Sequence, residues 1–591
     1  MSLRRIFAKL KKNRGGIMIR NSLIGLTVAV LATTAAAQTP PPKSPNGRFN
    51  LVIPPGRPKV APPTVMTAPP VQVQSVQLAP VQVPPAHGEP IAQQTVEAPP
   101  PAPPAPAGAR PDIVVATTAG QLGGEALWDG SHVFRAVPFA RPPVGDLRWR
   151  APQDPTPWQG VRYATESAAA CLQVDLGWQS AMSRSSSEDC LYLEVRTPDT
   201  ARKLPVMVFI HGGANRAGGA TGTVMAGFAP KGVVIVSIPY RLGALGFLSH
   251  PALTQEQGGA SGNYALMDQV KALEWVRDNI AAFGGDPGNV TIFGHSAGAQ
   301  DVGLLLTSPL AKGLFHKAIS QSGPPQFGLP ARTLAQNEAI GVELASEISM
   351  SPPDSAQALA DLRRQPAISI QELTDKIPPP VEDASFIWLQ AIVDGKALPR
   401  APQDVFRAGE AARVPLIIGV SAQELGLHGG EANIYKAVFN AFGLGRFRAM
   451  SFYRIDKGKP PKADPLLGDT AMQISTDIMM RCPADWTAAQ MTQAGNEAYL
   501  YHLGVDKDGK IHHGSELNFV MNPRPDGQGD AVWPPLLDHW VAFATTGNPN
   551  GPGLPQWPAY GGDKAYIDFT TSGPYARTQL RGPVCALRDT P

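Results

Sequence analysis

The chemistry in this sequence centres on a serine. Val290-Thr-Ile-Phe-Gly294-His295-Ser296-Ala297-Gly298 is an apolar, strand-like run that ends in G-x-S-x-G and passes into a helix-compatible stretch. The two glycines permit a sharp turn that lifts the serine hydroxyl clear of the sheet, and the N-terminus of the following helix favours negative charge there. Those are the requirements of a nucleophile in acyl transfer. The tetrahedral intermediate of such a reaction also needs fixed donors for its oxyanion. An earlier apolar run, Pro205 to Ile210, ends in His211-Gly212-Gly213-Ala214, which resembles the HGGG oxyanion loop. Gly213 and Ala214 would supply main-chain N–H groups together with Ala297, the residue after the serine. Alanine stands where a third glycine is usual: its N–H survives while its methyl narrows the site. The chemistry requires no metal and no organic cofactor, and no ligand-spaced cluster of His and Cys points to one.

Such a serine needs a strand before it and a helix after it. From Asp112 onward short apolar runs alternate with longer helical patterns, which predicts an α/β fold: a mostly parallel central sheet with helices on both faces. The clearest strands are Val206 to Ile210, Val233 to Ile238, Val290 to Phe293, Leu416 to Val420 and Ala498 to Val505. Between them Leu266 to Phe283 reads as an amphipathic helix, with Ala272, Leu273, Val276, Ile280 and Phe283 at the 3.6-residue period. No internal repeat of fixed length is present.

Residues 1–37 hold seven Lys or Arg and no acid, so the net charge of +3 for the whole chain becomes −4 without them. That balance excludes a nucleic-acid footprint. The same residues have the layout of an export signal: a basic stretch ending at Arg20, an apolar run from Leu23 to Ala32, and Ala35-Ala36-Ala37 as a cleavage site. The apolar run falls short of the roughly 20 residues a bilayer demands, so stable membrane insertion is not expected. Met18 offers an alternative start that gives a signal of ordinary length, and Arg4-Arg5 with Phe7 and Lys9 weakly resembles a twin-arginine signal. Residues 38–111 contain 22 of the 62 prolines and one aromatic, Phe49, which predicts a disordered or polyproline-like tether before a catalytic domain at 112–591. Four cysteines suit an oxidising compartment and permit three pairings. The local one, Cys171 with Cys190, closes a short loop and leaves Cys482 with Cys585.

Several further stretches are similar to the type-B carboxylesterase family, which includes cholinesterases and bacterial para-nitrobenzyl esterases. They are Ala136-Val-Pro-Phe-Ala-Arg-Pro-Pro-Val-Gly-Asp-Leu-Arg148, Glu188-Asp-Cys-Leu-Tyr-Leu193, Tyr240-Arg-Leu-Gly-Ala-Leu-Gly-Phe247, Gly262-Asn-Tyr and Phe283-Gly-Gly-Asp-Pro287. The resemblance runs from about residue 112 to 591. It implies an α/β-hydrolase fold, hydrolysis of small-molecule carboxylic esters through an acyl-enzyme, and the pairing Cys171–Cys190 with Cys482–Cys585.

In that fold the triad follows the order Ser, acid, His along the chain. Val414 to Val420 leads into Ser421-Ala-Gln-Glu424-Leu-Gly, similar to the family's loop in which glutamate is the acid; Asp383 and Asp394 are the other candidates, and neither follows so clear a strand. Of eleven histidines, His428, His502, His512, His513 and His539 lie beyond Glu424. Ile511-His-His-Gly-Ser-Glu-Leu resembles the family's H-G-x-E-L, which matches His513, with His512 one residue away. The resemblance thus implies Ser296 as nucleophile, His513 as base and Glu424 as its orienting acid. His295 stands where the family more usually has an acid or amide, which argues against a choline-ester specialist. Trp178, inside the Cys171–Cys190 loop, is a candidate for the leaving-group side. Two rival readings are a hydrolase of amides, lactones or thioesters, and a non-catalytic adhesion or scaffold protein on the same fold. Nothing in the sequence sets an oligomeric state.

Overall fold

A computed structural model describes residues 111–588 apart from 221–225, 375, 378–387, 389 and 459. The export signal, the Pro-rich tether and Asp383 lie outside the described residues. Among those described, thirteen strands form one sheet. In chain order they are β1 (Ile113–Ala116), β2 (Gln121–Ala126), β3 (His132–Pro138), β4 (Val161–Tyr163), β5 (Tyr192–Thr197), β6 (Leu204–Ile210), β7 (Val234–Ile238), β8 (Gly285–His295), β9 (Lys317–Gln321), β10 (Leu416–Ser421), β11 (Ala498–Leu503), β12 (Ala565–Thr570) and β13 (Gly573–Thr578). They lie side by side in the order β1-β2-β3-β5-β7-β6-β8-β9-β10-β11-β12-β13, with β4 paired to β2. The block from β7 to β12 is parallel throughout, and antiparallel strands extend it at both ends. The five strands read from the sequence all lie in this parallel block.

A parallel strand covered on both faces must be apolar at every position, and its side chains must alternate between two cores. β6 does this. Val206, Val208 and Ile210 point into one core with Val234, Val236, Val290, Ile292, Leu416 and Ile418. Met207 and Phe209 point into the other with Ile235, Phe293, Ile417, Tyr499 and Tyr501. Helices α1 (Tyr264–Asn279) and α2 (Ala297–Thr307) cover the first face, and Leu536–Thr546 covers the second through Leu537, Trp540 and Phe543. The helix expected from Leu266 to Phe283 starts two residues earlier and tightens to a 3-10 turn at Ile280–Phe283, which the left-handed Gly284 ends. A third, smaller core gathers Ile434, Val438, Phe442, Ile474, Cys482 and Cys585. The cysteines are bonded as Cys171–Cys190 and Cys482–Cys585.

Candidate active site

Three strand ends of the parallel block deliver the chemistry to one edge of the sheet, where an open α/β sheet places its ligands. β8 ends at His295, and Ser296 occupies φ 57° and ψ −125°, a conformation L-residues avoid and strand-to-helix elbows exploit. The flanking glycines are there because neighbours crowd them. A Cβ on Gly294 would fall 2.4 Å from the Gly298 carbonyl oxygen, and one on Gly298 2.1 Å from that of Ile210. The Ser296 N–H donates to Gln321 O on β9 at 2.9 Å, and the Ser296 carbonyl accepts from Ala299 and Gln300 as α2 begins.

β6 ends in the glycine turn. A Cβ on Gly212 would meet His295 O at 2.6 Å and Ser296 Cβ at 3.0 Å, so this turn lies directly against the serine. Gly213 has φ 117°, and Ala214 and Asn215 both have φ 56°. Arg216 and Ala217 N–H groups close the turn on Gly213 O at 3.0 Å each. Ala214 therefore adopts a left-handed conformation that glycine would take without strain.

β10 ends at Ser421, and three residues later Glu424 is buried, its Oε1 accepting from Ser421 N–H at 2.6 Å. The Glu424 Oε2 lies 2.5 Å from His513 Nδ1. An ionised carboxylate only accepts, so this contact puts the proton on Nδ1 and leaves Nε2 to face the Ser296 Oγ, 2.7 Å away. Burial alone would hold the His513 imidazole neutral, but the Glu424 carboxylate, with Glu516 further off, lifts its pKa above the ordinary histidine value. His512 faces the other way: it is mostly exposed and its Nε2 lies 3.6 Å from Asp506. His428 is exposed, His502 pairs with Asp568 at 2.9 Å, and His539 bonds Pro549 O at 2.8 Å. Asp394 caps its own turn through Lys396 and Leu398 N–H groups. Trp178 is largely exposed in the Cys171–Cys190 loop. Among the described residues no group of three or more His, Cys, Asp or Glu stands close enough to hold a metal ion.

Two acids the sequence reading passed over sit beside this set. Glu516 is fully buried one turn after His513 on helix α3 (Ser515–Met521), where it accepts from Ser322 Oγ at 2.5 Å and Ser421 Oγ at 2.9 Å. Burial first, then the nearby Glu424 charge, raises its pKa. Its signal was its place in His-Gly-Ser-Glu, in the first turn of the helix that follows His513. The His295 ring packs 4.7 Å from that of His513, with Nε2 3.9 Å from Glu516 Oε1. Burial, then His513 and His512, hold His295 neutral. Asp301, the second acid, lies on α2 and accepts from Gln269 Nε2 at 2.6 Å. Burial pushes its carboxyl up to about 7 against the amides of Gln269 and Asn215. Its signal was a lone acid in a helix with an otherwise uncharged sequence.

A family model described as "Carboxylesterase family" matches residues 111–587. The chain is 34% identical to the liver carboxylesterase of Sus scrofa, over 78% of this chain and 89% of that protein. It is 34% identical to the medium-chain fatty acyl-CoA hydrolase precursor of Anas platyrhynchos, over 74% of this chain and 84% of that one. Among solved structures, a carboxylesterase of Geobacillus stearothermophilus superposes with a TM-score of 0.67 at 31% identity, over 80% of this chain and all of that one.

Proposed function

The chain belongs to the carboxylesterase family, and from that premise we propose that it is an exported serine esterase that hydrolyses carboxylic esters to acid and alcohol through an acyl-enzyme. The observation that carries this reading is the continuous hydrogen-bonded chain from Glu424 through His513 to Ser296. His513 Nε2 takes the serine proton as Oγ attacks the ester carbonyl. Gly213, Ala214 and Ala297 N–H groups receive the oxyanion, and the turn that presents two of them rests against Ser296. The imidazolium returns its proton to the leaving alcohol. Water, activated by the same nitrogen, then releases the acid. Glu424 fixes the tautomer and stabilises the imidazolium.

The name of one relative, a fatty acyl-CoA hydrolase, supports a second substrate class, thioesters, for the same machinery. Comparison of kcat/KM for matched esters, amides and thioesters decides between them, with esters expected to lead. The acyl group should be trapped on the peptide bearing Ser296, and Ser296→Ala and His513→Ala should each lower ester kcat by about 10⁴-fold or more with folding intact. An acyl group found on another residue, or full activity in Ser296→Ala, would overturn the reading. Export rests on the signal-like residues 1–37, and the two disulfides are compatible with it. Protein recovered from its native compartment should begin after Ala37.

A further inference from the structure

From Ile434 to Arg454 the chain carries four basic residues, Lys436, Arg446, Arg448 and Arg454, and no acid. The stretch forms two helices, Ile434–Phe442 and Arg446–Phe452, joined by a glycine turn. The first is apolar on two sides. Ile434, Val438 and Phe442, one turn apart, enter the third core. Tyr435 and Phe439, also one turn apart, point outward. Tyr435 is 42% exposed, Phe439 57%, Leu444 97% and Phe447 68%. Four large apolar side chains are thus presented to solvent within thirteen residues. The Arg446 guanidinium lies over both the Phe439 ring, 4.4 Å from its centre, and the Phe447 ring, 4.9 Å away, so the two aromatics and the cation form one face. Exposed apolar residues scattered singly need no explanation; a contiguous group marks an interaction surface.

We propose that this face adsorbs the protein to a bilayer surface bearing anionic lipid headgroups, with Tyr435, Phe439, Leu444 and Phe447 entering the headgroup boundary and Arg446 and Arg448 meeting the phosphates. Aromatic and leucine side chains interleaved with Lys and Arg are the composition of interfacial helices, which lie in the surface and do not span it. Charge selects the occupant. A second copy docked face to face would set Arg446 and Arg448 against their own copies, the stretch carrying no acid between Glu431 and Asp456. The Pro-rich segment of residues 38–110 has five Lys or Arg and two Glu, the same sign as the face. An anionic lipid surface satisfies both the apolar and the charged requirement. The face lies on the excursion between Glu424 and His513, and the third core beneath it contains the Cys482–Cys585 bond.

The test is sedimentation of the whole protein with vesicles at low ionic strength. Binding is expected to equal mixtures of phosphatidylglycerol and phosphatidylcholine and not to phosphatidylcholine alone, with release as salt is raised. Arg446→Gln and Arg448→Gln should each weaken binding by about fivefold. Phe439→Ser combined with Phe447→Ser should weaken it by about tenfold or more. Hydrolysis of a water-soluble ester should be unchanged in all three, which reports that they fold. Failure to bind the mixed vesicles, equal binding to neutral vesicles regardless of salt, or light scattering that finds a dimer abolished by the double phenylalanine variant would each overturn the proposal. None of these outcomes bears on the serine chemistry, which the soluble ester reads separately.

Discussion

At the scale of single residues the site is a balance of buried charges around one imidazole. On the proposed mechanism His513 must be neutral to accept the serine proton, so kcat/KM should fall as pH drops through its pKa, which Glu424 holds above the ordinary histidine value against the effect of burial. Glu424→Gln removes that carboxylate, and the acid inflection should move down while kcat falls. His295→Glu should do the opposite. It sets a carboxylate where a neutral ring now packs 4.7 Å from His513, and a negative neighbour favours the imidazolium. The pH profile of kcat/KM on a soluble ester reads both shifts, and an unmoved inflection in His295→Glu would refute the electrostatic account. That Ser296, Glu424 and His513 belong together was legible, and they do meet in the structure, because each sits in a short motif whose own turn fixes its geometry. The place of Glu516 in the site was not, because its partners Ser322 and Ser421 are 194 and 95 residues away in sequence. Ala214 was legible as a departure from glycine; its left-handed backbone shows what that departure costs locally.

Between elements, Asp301 joins the helix that begins after Ser296 to its surroundings. It ties α2 to α1 through Gln269 and stands against Asn215 of the glycine turn. Tyr240 completes this layer, its hydroxyl donating to His211 O at 2.7 Å and lying 3.2 Å from Asn215 Oδ1. Arg241, which follows Tyr240, is committed to Asp268 through two bonds at 2.7 and 2.8 Å. Burial therefore lifts Asp301 from 3.8 to about 7 with no positive partner to oppose it. A carboxyl whose folded pKa is raised contributes stability that is complete below about pH 4 and lost as pH rises through about 7. Asp301→Asn cannot ionise, so it should gain on the wild type between those limits, by about 4 kcal/mol at most. Urea midpoints at about pH 5 and pH 8.5 measure this; an equal difference at both would refute it. Five of the parallel strands were legible because burial on both faces demands an unbroken apolar run; β9 and β12 were not, because Lys-Ala-Ile-Ser-Gln and Ala-Tyr-Ile-Asp-Phe-Thr interrupt theirs with polar residues. The strands β1 to β5 were not read: several are short or carry glycine and charge, as in Gln-Leu-Gly-Gly-Glu-Ala of β2, and β3 and β5 join the block through a pairing across about sixty residues that no local pattern announces. The helices after Glu424 escaped for a different reason, since apolar side chains on two sides blur the 3.6-residue period.

Across the whole molecule, two covalent ties act on different things. Cys482–Cys585 spans 103 residues and sits in the third core, where it joins the long excursion between Glu424 and His513 to the C-terminal segment. In the chain-entropy model a loop of that length contributes about 4 to 5 kcal/mol by restricting the unfolded chain. Its removal leaves the strand ends that carry Ser296 and Glu424 untouched. Cys171–Cys190 spans 19 residues, and its loop is fastened to the segment after the glycine turn: Gln173 Nε2 donates to Gly218 O at 2.8 Å, and Gly218 N–H to Gln173 Oε1 at 3.0 Å. Loosening this loop should perturb the ground beside the glycine turn more than it frees the unfolded chain. Cys482→Ser should accordingly lower Tm with little change in kcat, and Cys190→Ser should alter KM with a smaller fall in Tm. Thermal unfolding and ester kinetics on the two variants, read beside a peptide map taken without reductant, make the comparison. Equal losses of stability, or four free thiols in protein from its native compartment, would remove both this division of labour and the case for export.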